Sequence, residues 1–425
     1  MLLICELKKI WRPWLILIIG VLFYAYYVTN MRYEISFYNS YINPVYFKAL
    51  AGRYGSSLEE DEVSEMRAEL SAIQDEIDAY TAAYPPCIRE GVTTQSEMIR
   101  LTPSFMGADA KITSQEWNEL CRQLASAEGN GASLRWAAVY ECLYAYDTFK
   151  ESCGTREAFE DRLKELYDLH SSVTGTGPDN ISEAAGRFYK DENNFAIMKV
   201  VITYDTTRIF SHLLILCLIA ELLLLLPPLV RDKSRKITPL QWASRKGLGV
   251  LLTQLEAAMI SAFMITGGCI LLSFLVIEKR GDLVFWNTPI VSTCFDISNI
   301  LSFLPKINCT YGTWCLLLGL RLFLAGTAFG LLIFSLSLYC PNVYFMLLID
   351  VTAAFALSEL AARIMTGAMM VSESFIISLI PRNSYFSVRS EPGPKDRLLL
   401  LLAVISSVSA VLSMRRMRRN ELKGS

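Results

Sequence analysis

Apolar runs long enough to cross a lipid bilayer recur along this chain, and they leave few folds open to it. A helix needs roughly 20 apolar residues to cross a hydrocarbon core about 30 Å thick, because lipid satisfies no exposed backbone group. Trp14–Thr29 is an uncharged run behind Lys8, Lys9 and Arg12, with Tyr24, Tyr26 and Tyr27 at its far end, where interfacial aromatics belong. No small-residue cleavage site follows it, so it reads as a retained anchor rather than a signal peptide. Leu213–Val230, Ala257–Ile277, Trp314–Tyr339, Val343–Ala362 and Leu398–Met414 are five further spans. Ile364–Ile380, with a single charge at Glu373, is ambiguous.

Charge in the short loops resolves the ambiguity, because Lys and Arg stay on the cytoplasmic side. The start carries three basic residues against Glu6, and the end reads RRMRRNELK, five basic against Glu421. Both termini are therefore expected inside, which requires an even number of crossings. Six clear spans satisfy this, and Ile364–Ile380 becomes part of an outer re-entrant hairpin over 363–397. The loop 231–247 holds six basic residues against Asp232, as a cytoplasmic loop should, whereas Glu278–Thr313 balances three against three and suits the exterior.

Composition separates the membrane part from a second kind of sequence. Residues 31–208 hold 17 Lys+Arg against 29 Asp+Glu, while the whole chain carries 40 against 42. The acid is thus concentrated in one block, which the topology places outside. Within it, Val63, Met66, Leu70, Ile73, Ile77, Tyr80 and Tyr84 follow a 3-4 spacing that predicts one long amphipathic helix with Ser56 or Ser57 as its cap. A helical hairpin stalk and a helix packed on a small core both fit, the second better. Further helices are expected at Ser114–Ala127, Ser133–Glu151 and Thr155–His170. Cys87, Cys121, Cys142 and Cys153 fall in this block; two disulfides in an oxidising exterior and buried free thiols remain equal alternatives.

The fold class expected is an all-α polytopic membrane protein. An interface helix over 1–13 precedes span one at 14–30. A mainly helical extracellular domain over 31–208 separates spans one and two. Spans two to six occupy 209–414, and a basic cytoplasmic tail covers 415–425. A near-neutral net charge of −2 excludes a strongly basic nucleic-acid binder. The chain contains no phosphate-cradling loop, no H-E-x-x-H, no G-x-S-x-G and no dinucleotide fingerprint. With two histidines, His170 and His212, a metal site of ordinary spacing is not expected, nor any catalytic residue or cofactor of its own.

Ionisable groups inside the apolar runs are the remaining chemistry, since each costs roughly 2.5–3.5 kcal/mol at mid-bilayer unless it faces protein or water. At about 1.5 Å per residue, Arg321 lies near 10 Å and Glu359 within about 6 Å of the outer surface. Glu221 is deeper, about 18 Å from outside, and Asp350 about 10 Å from inside. Depth favours an Arg321–Glu359 pair, with Glu221 as second choice. Arg363, one turn after Glu359, offers a competing pairing along the same helix, and Arg321 snorkelling outward alone is a third. Gly326 and Gly330 form a G-x-x-x-G pattern that permits close helix packing.

The order of parts resembles the permease subunit of bacterial type-2 ATP-binding-cassette exporters with an enlarged domain after the first span. A short amphipathic start (Leu3, Leu7 and Ile10 on one stripe, stopped by Pro13), a large external insertion, five further spans and an outer hairpin carry the likeness. Its most telling segment is PPLVRDKSRKITPLQWASRKGLGVLLTQ. By position, Asp232 matches the acidic residue of the family's coupling loop, Ile237–Ala243 its short helix, and Ser244, Arg245, Lys246 and Gly247 that helix's end. The resemblance implies that Thr238, Pro239, Leu240, Gln241, Trp242, Ser244 and Arg245 meet a cytoplasmic ATPase dimer, on which ATP and Mg would be bound. It also implies a second permease, this chain again or a paralogue, in the bacterial cytoplasmic membrane. The function expected is a permease moving a peptide, a lipid-linked or an antimicrobial molecule outward. The alternative is a membrane-anchored sensor or immunity protein whose external domain binds a ligand without transport.

Overall fold

The computed structural model describes residues 2–28, 44–55, 58–102, 111–126, 129–153, 155–158, 160–161, 200–234, 247–290 and 309–338, with 404–405, 407–408 and 411–412. Among the described residues helix accounts for 88% and no strand occurs, so the class is all-α. The chain divides into two compact units, one of residues 1–36, 201–283 and 303–425, the other of 37–200 and 284–302.

In the first unit, α1 (Leu2–Ile10) and α2 (Pro13–Tyr26) are separated by Trp11 and Arg12. Pro13 opens α2, at a position where its missing N–H costs nothing. Trp11 Nε1 donates to Ser261 Oγ at 3.0 Å and ties the end of α1 to the helix that carries Ser261. Three long helices follow: α9 (Val200–Ser234), α10 (Gly247–Arg280) and α11 (Tyr311–Ser337). Among the described residues these three are long and apolar enough to cross a membrane, over Ile209–Arg231, Gly249–Arg280 and Tyr311–Ser337. The chain is thus a membrane-associated helical protein. As a helix, the 14 residues of α2 reach only about 21 Å, short of the hydrocarbon thickness. The expected span at 343–362 and the expected outer hairpin over 363–397 lie outside the described residues, and the expected span at 398–414 is described at six positions only.

α9 begins well before its expected span at Leu213. Thr206, Thr207 and Ser211 are buried there, each donating to the carbonyl four residues back at 2.7–2.9 Å, so polar side chains continue the helix. Pro227 and Pro228 stand inside α9 near its other end. Thr206 Oγ1 and the Tyr311 hydroxyl are 2.7 Å apart, and further along Glu221 and Leu225 meet Gly326 and Gly330 at the same offset. α9 and α11 therefore run parallel. Along α11, Gly319 faces Ile270 and Phe274, Gly326 faces Thr266, and Gly330 faces Ala262, a descending register that makes α10 antiparallel to both.

The second unit is built from α3 (Pro44–Tyr54), α4 (Glu60–Ala83), α5 (Pro85–Glu90), α6 (Gln95–Arg100), α7 (Ser114–Ala125) and α8 (Ala132–Cys153). Val63, Met66, Ile73 and Ile77 of α4 pack with Leu120 and Leu124 of α7 and the face Ala138, Val139, Cys142, Leu143 and Tyr146 of α8. The long helix predicted from the 3-4 spacing is α4, and it packs on a small core. Its cap differs from expectation: Glu59 occupies that position, and Glu62 returns to accept from the Glu59 N–H at 2.8 Å. An acidic pair satisfies the free donors there and suits the positive helix end. Gly91 closes α5 with φ 69°, a left-handed conformation that lets Val92 N–H reach the Cys87 carbonyl at 2.9 Å. Arg67–Asp147 and Arg135–Glu76, both 2.6 Å, join α4 to α8 at the surface, where such pairs contribute about 0–1 kcal/mol each.

Two capping boxes give this unit a defined acid sensitivity. The backbone N–H of Thr93 donates to Glu97 and that of Thr113 to Glu116, which holds both carboxyls below the ordinary range. Depressed folded-state values add stability above the unfolded value of about 4.3, and that stability is lost as pH falls through the folded values. A fragment 37–200 should be strongly helical by circular dichroism, with a urea midpoint that drops below about pH 4. Replacing Glu97 and Glu116 by Gln should flatten that drop; an unaltered profile in the double variant would remove the boxes as its cause.

Candidate functional site

A run of small residues on α10 creates the site. Ala258, Ala262, Thr266, Cys269 and Ser273 recur every three or four positions and are all buried, at 2% exposure or less. Spacing of this kind lines one helix face and lets neighbouring backbones approach. Thr266 Oγ1 donates to the Ala262 carbonyl at 2.8 Å, which fixes its rotamer and turns its methyl toward α11. There it meets Gly326 so closely that a Cβ on Gly326 would lie 2.1 Å from Thr266 Cγ2. At Gly330 a Cβ would lie 2.7 Å from Ala262 Cβ.

Glu221 of α9 points at the same two glycines. A Cβ on Gly326 would stand 3.3 Å from Glu221 Oε1, and one on Gly330 3.5 Å from Oε2. The carboxyl is 0% exposed. The Cys217 thiol, one turn earlier, donates to Oε1 at 3.7 Å, and the Cys269 thiol of α10 lies beside both. Oε2 has no hydrogen-bond partner and no cation pairs with Glu221 among the described residues. Glu221 lies near the middle of Ile209–Arg231, a helix segment long and apolar enough to cross a membrane, so this is a carboxyl at the centre of a candidate span, enclosed by three helices. Ionisable groups in that position mark functional sites more often than structural ones.

Arg321 is elsewhere. It is 3% exposed, with its guanidinium 5.7 Å from the Trp314 ring centroid. Five residues before Gly326 place it about 140° around the axis and about 7.5 Å along it, away from the glycine face. By that rotation Arg321 does not face the contact that Glu221 makes with Gly326 and Gly330. Glu359, Asp350 and Arg363 lie outside the described residues, as do Thr238, Pro239, Leu240, Gln241, Trp242, Ser244 and Arg245. The backbone of Asp232 belongs to α9, and its side chain lies outside the described residues.

In the helical unit, Cys87, Cys121 and Cys142 are free thiols, with Cys87 Sγ 3.4 Å from Met98 Sδ; the Cys153 side chain lies outside the described residues. Burial pushes the Cys142 thiol up to about 12 and raises Cys87 and Cys121, so none of the three offers a ready thiolate nucleophile. No group of three or more His, Cys, Asp or Glu suited to a metal occurs among the described residues.

Sequence reasoning singled out Glu221, Gly326 and Gly330 separately and missed Cys217, Ala262, Thr266 and Cys269. The signal was present as the small-residue spacing of α10, which reads as a packing face once α11's glycines are set against it. No family model matches the chain, and searches of curated proteins and of solved structures likewise return no match.

Proposed function

We propose that the chain is the membrane permease of an ATP-driven exporter, working with a separate cytoplasmic ATPase dimer and a second permease copy or paralogue. The observation that carries this reading is the way α9 and α10 overrun the bilayer on one side. Ser234 ends α9 about 20 Å beyond the level of Glu221, and Gly247 begins α10 about 28 Å beyond the level of Thr266. Half a hydrocarbon core is about 15 Å, so both helix ends stand in water, with the basic segment 235–246 between them. That segment contains Leu240 and Trp242, apolar groups that a plain connector does not need and that suit an interface anchor. The docking of α1 on α10 through Trp11 and Ser261 is consistent with an interface helix at the same side.

Leu240 and Trp242 replaced together by Ala should abolish co-purification of the ATPase and its stimulation in membranes. Insertion and the helical unit should survive, because the changed residues lie in neither. Full ATPase binding and full transport in the double variant would make the loop a plain connector and defeat the coupling role.

A further inference from the structure

We infer that Glu221 is a proton-binding site: a neutral carboxylic acid holds α9 against the glycine face of α11 and the small-residue face of α10, and loss of its proton drives the three helices apart. The inference needs the membrane-spanning unit and not the export reading. It stands on geometry. The carboxyl is fully buried, Oε2 has no partner among the described residues, and the one hydrogen bond to Oε1 comes from a weak thiol donor. The ionisable groups facing it are Cys217 from its own helix and Cys269 from α10. α11 presents Gly326 and Gly330, which bring no side chain at all. Among the described residues no positive charge is offered from any of the three helices. An ionised carboxylate there would bear the cost of a buried, uncompensated charge, whereas the acid bears only that of a polar group.

The glycines explain why such a group is tolerated. They admit the carboxyl between the helices without a void, and a closed junction of this kind opens only by moving whole helices. Removing the proton then supplies the force: a charge appears in a close contact between helices, and separation admits water to it.

The test uses the full chain in native membranes, without nucleotide or transport substrate, and an apolar carbodiimide that adds to protonated carboxyls. Glu256, exposed on α10, serves as the internal comparison. At pH 8 Glu221 should carry about tenfold more adduct than Glu256, because the buried, unpaired carboxyl keeps the proton that the reagent requires. In the purified protein, melting should be lower at pH 9 than at pH 6, and Glu221→Gln should remove that difference. Adduct at Glu256 with none at Glu221 would overturn the inference, as would an identical pH shift in wild type and Glu221→Gln. A chain that labels as expected but binds no ATPase would leave this site standing and remove the exporter reading alone.

Discussion

Gly326→Ala should destabilise the membrane unit by about 1–3 kcal/mol, and Thr266→Ser should restore most of it. The added Cβ would lie 2.1 Å from Thr266 Cγ2, a distance that forces either the helices or the side chain to move. Thr266 cannot turn aside freely, because its hydroxyl is held by the Ala262 carbonyl. Serine keeps that hydroxyl and deletes the colliding methyl, so the double variant separates steric collision from any other role of the glycine. The remaining neighbours, Cys217 Sγ at 3.1 Å and Glu221 Oε1 at 3.3 Å, are tight enough to keep the rescue incomplete. Gly330→Ala should behave the same way and be relieved by Ala262→Gly. Gly267 and Gly268 have open space where a Cβ would go, so alanine there should be neutral or stabilising. Thermal melts of the detergent-purified variants decide this, and equal melting of Gly326→Ala and Gly267→Ala would refute the close contact.

Ile77→Ala should cost the helical unit about 2–5 kcal/mol, whereas Ile88→Ala should be nearly silent. The two residues have the same side chain and opposite environments, 1% exposed in the last third of α4 and 63% exposed on α5. Removing Ile77 leaves a cavity on the face that α4 presents to the core, and helices around it relax only partly. In the fragment 37–200, the loss should appear as roughly 2–4 °C of melting temperature per kcal/mol. Similar shifts for both variants would show that the described core is not the one that stabilises the unit.

Local chemistry made much of this fold readable, and its non-local contacts were hidden. The apolar runs that became α9, α10 and α11 announced themselves by length, as did α4 by its 3-4 stripe. Ser114 starts α7 as expected, although Thr113 rather than Ser114 supplies the cap. Ends were less legible: α9 runs from Val200 because threonines and Ser211 bond back within the helix, so hydropathy understates its length. The site was legible only in pieces. Depth ranked Glu359 first for Arg321 and put Glu221 second, but depth fixes height in the membrane and says nothing about rotation around a helix axis. Gly326 and Gly330 could be recognised as a packing face, while their occupant, Glu221, lies on another helix at a register that no local pattern encodes.

Pro227 and Pro228 give α9 an uneven stiffness. Each lacks an N–H, so the carbonyls of Leu223 and Leu224 have no intrahelical donor, and the rod is most compliant there. Sideways load applied to residues 231–234 is taken up as curvature at this weak joint. Glu221 sits six residues above it, about 9 Å away, in a stretch whose backbone ladder is unbroken. Bending therefore dies out before it reaches the carboxyl, whereas axial thrust passes through the joint undiminished. Of all the ways the 231–234 end of α9 can move, the junction at Glu221 responds to sliding and screw rotation and is mechanically deaf to tilt.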